Sequence, residues 1–310
     1  MLIYYQQFWR RYFNVHGPEP VTSTNPIIPA DGNAFIYKST FKYLSNAAFN
    51  FYNKNGIYIL SEQNEFSHCR GIAGLRGQLQ FVNNHFYTFN NTYGRVVSCS
   101  LGSSSNSEGS IYLASNYIND YLLYQYHGST NVKAVNYSMC NGYEGLIIYF
   151  HEVFRIDNIS CCIVDSCQAT QNPIYFGTLN TKMIKCNIIN NSQTFKGDYA
   201  IIYIFSAMEN KLDIEECIIM KNCKNGNGVY FGAINKASMR IIRTYTDKTT
   251  SDGNSIIMSA TKNAPFENNF LLCLSSKMRI VNYKPSENGL LSYVQQYYQS
   301  LYSKNLNVYI

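Results

Sequence analysis

The chain has 310 residues, 46% of them hydrophobic and only 14% charged, with a formal net charge of +6. That is enough apolar sequence for a continuous core, and the shortage of charge leaves the polar surface to Asn, Ser, Thr and 28 Tyr, a β-rich rather than a helical balance. The Lys and Arg residues are dispersed, with Arg10-Arg11 the densest cluster, which argues against nucleic-acid binding, where basic charge gathers on one face.

The N-terminus reads Met1-Leu-Ile-Tyr-Tyr-Gln-Gln, then Phe8, Trp9, Arg10 and Arg11. Polar residues interrupt it too early for a signal peptide, whose apolar run is about 7–15 residues. No stretch approaches the roughly 20 apolar residues that span a bilayer. The expected location is therefore inside the cell by default, or the cell surface if a leader precedes the chain. Sequons at Asn90, Asn136, Asn158 and Asn190 are what chance gives in so Asn-rich a sequence. Leu2, Trp9, Tyr12 and Phe13, followed by Pro18, Pro20, Pro26 and Pro29, read as an N-terminal capping segment over residues 1–30. The prolines are expected to break regular structure.

From there to about residue 285 one pattern recurs: an aromatic or aliphatic residue, two variable residues, then Asn or a small residue. It appears at Tyr43–Asn46, Phe81–Asn84, Leu101–Ser104, Tyr137–Cys140, Ile163–Ser166, Ile188–Asn191 and Ile219–Asn222, with a degraded copy at Leu274–Lys277. Each is followed by a turn and a short strand, as in Gly109-Ser-Ile-Tyr-Leu, Gly145-Leu-Ile-Ile-Tyr and Asn172-Pro-Ile-Tyr-Phe. The markers Ile174, Ile201, Val229 and Ile256 lie 27, 28 and 27 residues apart. Short strands at this period suit a parallel β-solenoid with three strands per coil. The expected fold is all-β: a single right-handed parallel β-helix of about nine coils over residues 31–285. Leu290, Val294, Tyr297 and Leu301 recur at helical spacing and predict a C-terminal capping helix over 286–310.

Setting Cys161, Cys186, Cys217 and Thr244 in register stacks other positions. Four residues earlier come Asp157, Lys182, Asp213 and Arg240; one residue earlier come Ser160, Lys185, Glu216 and Arg243. Opposite charges then face each other on adjacent strands, which is favourable. Asn191 and Asn222 stack as the ends of their motifs, and Cys167, Ser192 and Cys223 form another column. The ten Cys read first as a buried ladder of thiols, with a disulfide between coils or a metal site as alternatives. Glu215 aligns with Ile159, Ile184 and Ile242 and is expected to point inward, where a carboxylate without a partner is costly.

The paired motifs resemble the F-x-x-N and G-G-A-[ILV] elements of chlamydial polymorphic outer-membrane proteins and of β-helical surface proteins in protists such as trichomonads. Phe81-Val-Asn-Asn84 matches the first element. Ile188-Ile-Asn-Asn191 and Ile219-Met-Lys-Asn222 match it with Ile for Phe. Gly109-Ser-Ile111 and Gly228-Val229 are partial matches to the second. The resemblance covers roughly residues 30–280 and implies the β-helix fold and an adhesin-like or structural role.

The same superfold, that of pectin lyases, holds polysaccharide lyases and hydrolases, whose chemistry needs converging carboxylates and a base. The best acidic group is Asp213, Glu215 and Glu216, and no Asn-Thr-Asp or Gly-His-Gly motif accompanies it. His68 adjoins Cys69, yet neighbours on a strand face opposite ways, poor geometry for a nucleophile and its base. His16, His85, His127 and His151 have no better claim. Asn225-Gly-Asn-Gly228 leads into a strand, not the helix that a phosphate loop needs. The expectation is a non-catalytic structural or interaction protein, a β-helical rod binding proteins or glycans as an adhesin-like element or a component of a larger assembly, without cofactor, metal or nucleic acid. The alternative is a polysaccharide lyase or glycoside hydrolase.

Overall fold

The computed structural model describes most of the backbone between residues 6 and 263, with breaks, and side chains chiefly within 9–66 and 132–263. The chain divides into two units, residues 1–274 and 275–310. The second unit, with the expected capping helix over 286–310, lies outside the described residues, as do the side chains of His68, His85, His127 and His151.

The described chain is a right-handed parallel β-helix. Its strands fall into sheets of eleven, nine and nine strands, with a small fourth sheet of three. Successive coils pair in parallel with near-constant register, as in Thr181–Ile184 against Lys211–Glu215 and then Ser238–Ile242. Parallel pairing buries one face of every sheet in a common interior. The first sheet sends in Ile159, Met183, Ile214 and Ile241, the second Phe41, Phe66, Val164, Ile188 and Ile219, and the third Ile174, Phe176, Ile202, Ile204 and Phe231. β-Branched and aromatic side chains suit this pleated, enclosed surface.

Two tight turns repeat in every well-described coil. The first joins the first and second sheets through one left-handed residue, at Lys38, Cys161, Lys185, Glu216, Arg243 and Ala260, with φ between 47° and 57°. The second turn has φ of 54°, 55°, 57° and 55° at Tyr43, Ser166, Asn190 and Lys221. A non-glycine residue there costs about 1–2 kcal/mol. The cost is offset because the next residue turns inward and bonds the neighbouring coil. Coil length varies more than turn shape. Equivalent residues are 24 apart at Cys167 and Asn191, 31 at Asn191 and Asn222, and 27 at Cys217 and Thr244. The link from Ser192–Gln193 to Ile202–Ser206, longer than that from Gln168–Ala169 to Ile174–Gly177, takes up much of the difference.

Several expected registers are displaced. Ile163 pairs with Asn187 and Ile159 with Met183, so Cys162, not Cys161, stacks on Cys186. Cys161 holds the left-handed position above Lys185, where Ser160 was expected. Asp157 falls one residue short of the Lys182 rung at this offset. Cys167 stacks on Asn191 rather than Ser192, whereas Asn191 stacks on Asn222 as expected. One cause underlies all of these: the coil is 24 residues long here, not 25, and a one-residue slip exchanges the two faces of a strand. Of the strand markers, Ile174 pairs with Ile202 rather than Ile201, and Ile202 with Phe231, one residue beyond the expected Ile201–Val229 offset. Ile256 belongs to the first sheet, beside Met239.

Gly232 stands level with Tyr203, and a Cβ on it would lie 2.7 Å from Tyr203 Cδ2 and 3.1 Å from Ala200 Cβ. Tyr203 in turn stacks on Tyr175, ring centroids 5.8 Å apart. Replacing Gly232 with Val is expected to cost about 1–3 kcal/mol through overpacking. A thermal melt reads the loss, and an unchanged midpoint would mean that the Tyr203 ring swings aside freely.

Pro20 does not break structure. Pro20–Val21 forms an edge strand against Phe35–Ile36, a place where the missing N–H is harmless. Trp9 and Phe13, on helical backbone, pack on Phe35 and Leu60. Because Phe35 and Leu60 alternate with the interior residues Ala34, Ile36 and Ile59, they face outward. The N-terminal segment thus covers the outer face of the first sheet, while Pro20–Val21 lies on the edge of that sheet and the Thr24–Thr40 bridge on the edge of the second.

Candidate functional site

The residues that could carry chemistry lie in three columns running from coil to coil. The first column is on the outer face of the first sheet. Lys182, Asp213 and Arg240 occupy one rung position, and Ser160, Ile184, Glu215 and Ile242 another. Arg240 grips Asp213 with both ends of its guanidinium: Nε donates to Oδ1 at 3.1 Å and Nη2 to Oδ2 at 2.8 Å. Two-point pairing of this kind fixes geometry as well as charge. The Asp213 carboxylate raises the Arg240 guanidinium further above its already high ordinary value. Lys211 Nζ adds a contact to Asp213 Oδ1 at 3.6 Å.

Glu215 does not point inward. It alternates with the interior Ile214 and lies outside between Lys182, 3.4 Å away, and Arg243, 3.8 Å away. Glu216, on the left-handed turn, accepts from Arg243 at 3.1 Å and faces Lys185 at 3.9 Å. Each of the three carboxylates thus meets at least two cations. Such a group is occupied by ion pairs, the opposite of the free, converging pair that acid–base hydrolysis requires.

The second column follows the first turn. Ser39, Asn64, Cys162, Cys186, Cys217 and Thr244 each turn inward after it and are buried. Three of them take a backbone N–H from the coil before: Ser39 N donates to Asn64 Oδ1 at 2.7 Å, Cys186 N to Cys217 Sγ at 3.3 Å, and Cys217 N to Thr244 Oγ1 at 3.2 Å. Amide, thiol and hydroxyl serve one purpose here, satisfying an N–H that the turn leaves without a strand partner.

The third column follows the second turn and holds Cys140, Cys167, Asn191 and Asn222, all buried. Cys167 N donates to Asn191 Oδ1 at 3.0 Å and Asn191 N to Asn222 Oδ1 at 2.9 Å. Each Asn returns a bond through Nδ2, Asn191 to Val164 O at 3.0 Å and Asn222 to Ile188 O at 2.9 Å. The Tyr230 hydroxyl ends the run, accepting from Asn222 N at 2.8 Å. The spacing of the repeat pointed to both Asn residues. The preceding left-handed position, the better guide to register, leaves no compositional mark, since Lys, Ser, Asn and Tyr all occupy it.

Cys162, Cys167, Cys186 and Cys217 are free, buried thiols, whereas Cys161 is disulfide-bonded. Among the described residues no group of three or more His, Cys, Asp or Glu is arranged to hold a metal ion. Burial pushes the Cys162, Cys167 and Cys217 thiols well above their ordinary value of 9.0. A raised pKa in the fold favours the protonated form. The associated stability is fully present below the unfolded-state pKa and is lost as pH rises above it. The melting temperature is therefore expected to fall above pH 9.0, the ordinary thiol value. Replacing these three thiols with Ser or Ala should flatten that fall. A pH profile identical in the triple variant would show that other groups cause it.

No family model matches the chain, and neither the curated proteins nor the solved structures contain a match. Among the described residues no helix is long and apolar enough to cross a membrane.

Proposed function

We propose that the chain is a non-catalytic structural or interaction protein, a β-solenoid that offers its sides to protein or glycan partners as an adhesin-like element or as a component of a larger assembly. The observation that carries this reading is the use of Asp213, Glu215 and Glu216. Every one of them is engaged by cations of its own or a neighbouring coil, so the chain's densest acidic group works as a brace between coils. The motif resemblance to polymorphic outer-membrane proteins and trichomonad surface proteins adds weight to an adhesin-like role. Tyr, Asn and Ser on the strands suit such contacts, because Tyr gives large contact area at low entropic cost.

The test is capture of partners by the full chain, run beside a glycan array. Recovery of the same proteins in repeated captures, or saturable binding to a defined glycan class without its cleavage, supports the reading. Cleavage of a bound glycan removes it.

A further inference from the structure

The N-terminal segment is built as a unit distinct from the solenoid it covers. Trp9, Phe13, Phe35 and Leu60, with Tyr37 and Tyr58 against them, form a hydrophobic cluster separate from the interior core. The segment also folds on itself. The Gln6 amide closes it from both sides, Nε2 donating to Gly17 O at 2.8 Å and Oε1 accepting from Gly17 N at 3.2 Å. Arg10 bonds His16 within the same stretch. Gly17 lies flat on the Trp9 indole, where a Cβ would come within 2.3 Å of the ring. Trp9 and Phe13 stand one helical turn apart, ring centroids 4.8 Å, the spacing by which a helix anchors in an apolar groove.

Its seat is imperfect. The Trp9 indole nitrogen is buried without a hydrogen-bond partner, which burial penalises. The connection to the first sheet is short and extended: Pro18 and Glu19, after which Pro20–Val21 pairs with Phe35–Ile36. The cradle is equally bounded. Beyond Phe35 and Leu60 the same rung position passes to Gln80 and Asn106.

We propose that residues 6–17 are an exchangeable strap and that the cradle of Phe35, Leu60, Tyr37 and Tyr58 accepts the same strap from a second copy of the chain, giving a reciprocal strap-swapped dimer. The occupant is fixed by the chemistry of the present one: the second copy offers the same two aromatic anchors on the same self-closed unit. Exchange needs only rotation about residues 18–19, leaves the interior core untouched, and produces the two-fold symmetry in which each copy gives and receives. It would double the partner-facing surface of the solenoid, independently of what that surface binds.

The chain has one Trp, so its fluorescence reports the strap alone. Two full-length variants test the exchange. Trp9→Ala with Phe13→Ala leaves a cradle without a strap and has no Trp. Phe35→Ser with Leu60→Ser leaves a strap without a cradle. Each should be monomeric alone. Mixed, they should form a one-to-one heterodimer by light scattering, with a blue shift of the Trp9 emission. A mixture that stays monomeric with Trp9 emission unchanged overturns the proposal. Circular dichroism of each variant guards the result. If the double cradle variant fails to fold, Leu60→Ala alone takes its place, with the same two outcomes.

Discussion

Asn222→Leu is expected to cost about 2–6 kcal/mol, adding roughly 1–3 kcal/mol for each of two buried polar groups left without a partner. Leucine keeps the branched heavy-atom skeleton but is bulkier, so some overpacking adds to the loss of hydrogen bonds. Asn222 Oδ1 accepts from both Asn191 N, at 2.9 Å, and Asn191 Nδ2, at 3.1 Å, while Asn222 Nδ2 donates to Ile188 O at 2.9 Å. The substitution orphans the N–H of a left-handed turn and a carbonyl, both in the dry interior. In a solenoid each coil is stabilised by its neighbours, so damage spreads along the stack rather than across a globule. Hydrogen exchange should therefore show the amides of Asn187–Ile189 and Ile218–Met220 losing protection first. Denaturant unfolding gives the magnitude. Asn222→Asp, measured at a pH low enough to keep the carboxyl protonated, retains an acceptor for Asn191 and an O–H donor for Ile188 O, and should lie between the wild type and Asn222→Leu.

Phe66→Ala is expected to cost about 3–5 kcal/mol, the range for emptying a buried aromatic site. Phe66 is fully buried and its ring is stacked on Phe41, with centroids 4.8 Å apart and planes within 2°. Both rings belong to the first coils of the second sheet, and the turn before Phe66 carries the Asn64–Ser39 bond. The cavity would open near the end of the stack. Melting of the early coils ahead of the rest is therefore expected, seen as two transitions by differential scanning calorimetry. A single transition, shifted little, would mean that the end relaxes onto the space, as sites that can collapse do.

The sequence carries the fold through its period and fails at register. Strands rich in Ile and Tyr, separated by turns at about 27 residues, leave few architectures open, and a solenoid of parallel strands is what forms. The rung of Lys182, Asp213 and Arg240 was legible because charge alternation is visible in the residues themselves. Cys161 and Cys162 were not separable. Adjacent cysteines offer two registers one residue apart, and the choice depends on which of them takes a left-handed φ, a backbone property that Cys, Lys, Glu and Arg satisfy equally. With Cys161 chosen, Ser160 and Asp157 moved with it. Glu215 was misplaced for another reason. Its column holds Ile184 and Ile242, half-buried apolar residues on the outer face, and an apolar neighbour is weak evidence of an inward direction because much folded surface is apolar. The N-terminal segment showed its aromatic residues in sequence, but nothing local distinguishes covering a side from covering an end.

The account turns on Asp213, Glu215 and Glu216 being braces rather than a catalytic group, and incubation of the purified full chain with acidic and neutral polysaccharides tests this most directly. New reducing ends and unsaturated uronate products are measured for the wild type and for Asp213→Asn, Glu215→Gln and Glu216→Gln. The expected result is no cleavage by any of them, with a lowered melting temperature in Asp213→Asn, which loses the two-point bond to Arg240. Cleavage by the wild type that disappears in Glu215→Gln, at an unchanged melting temperature, would contradict the account.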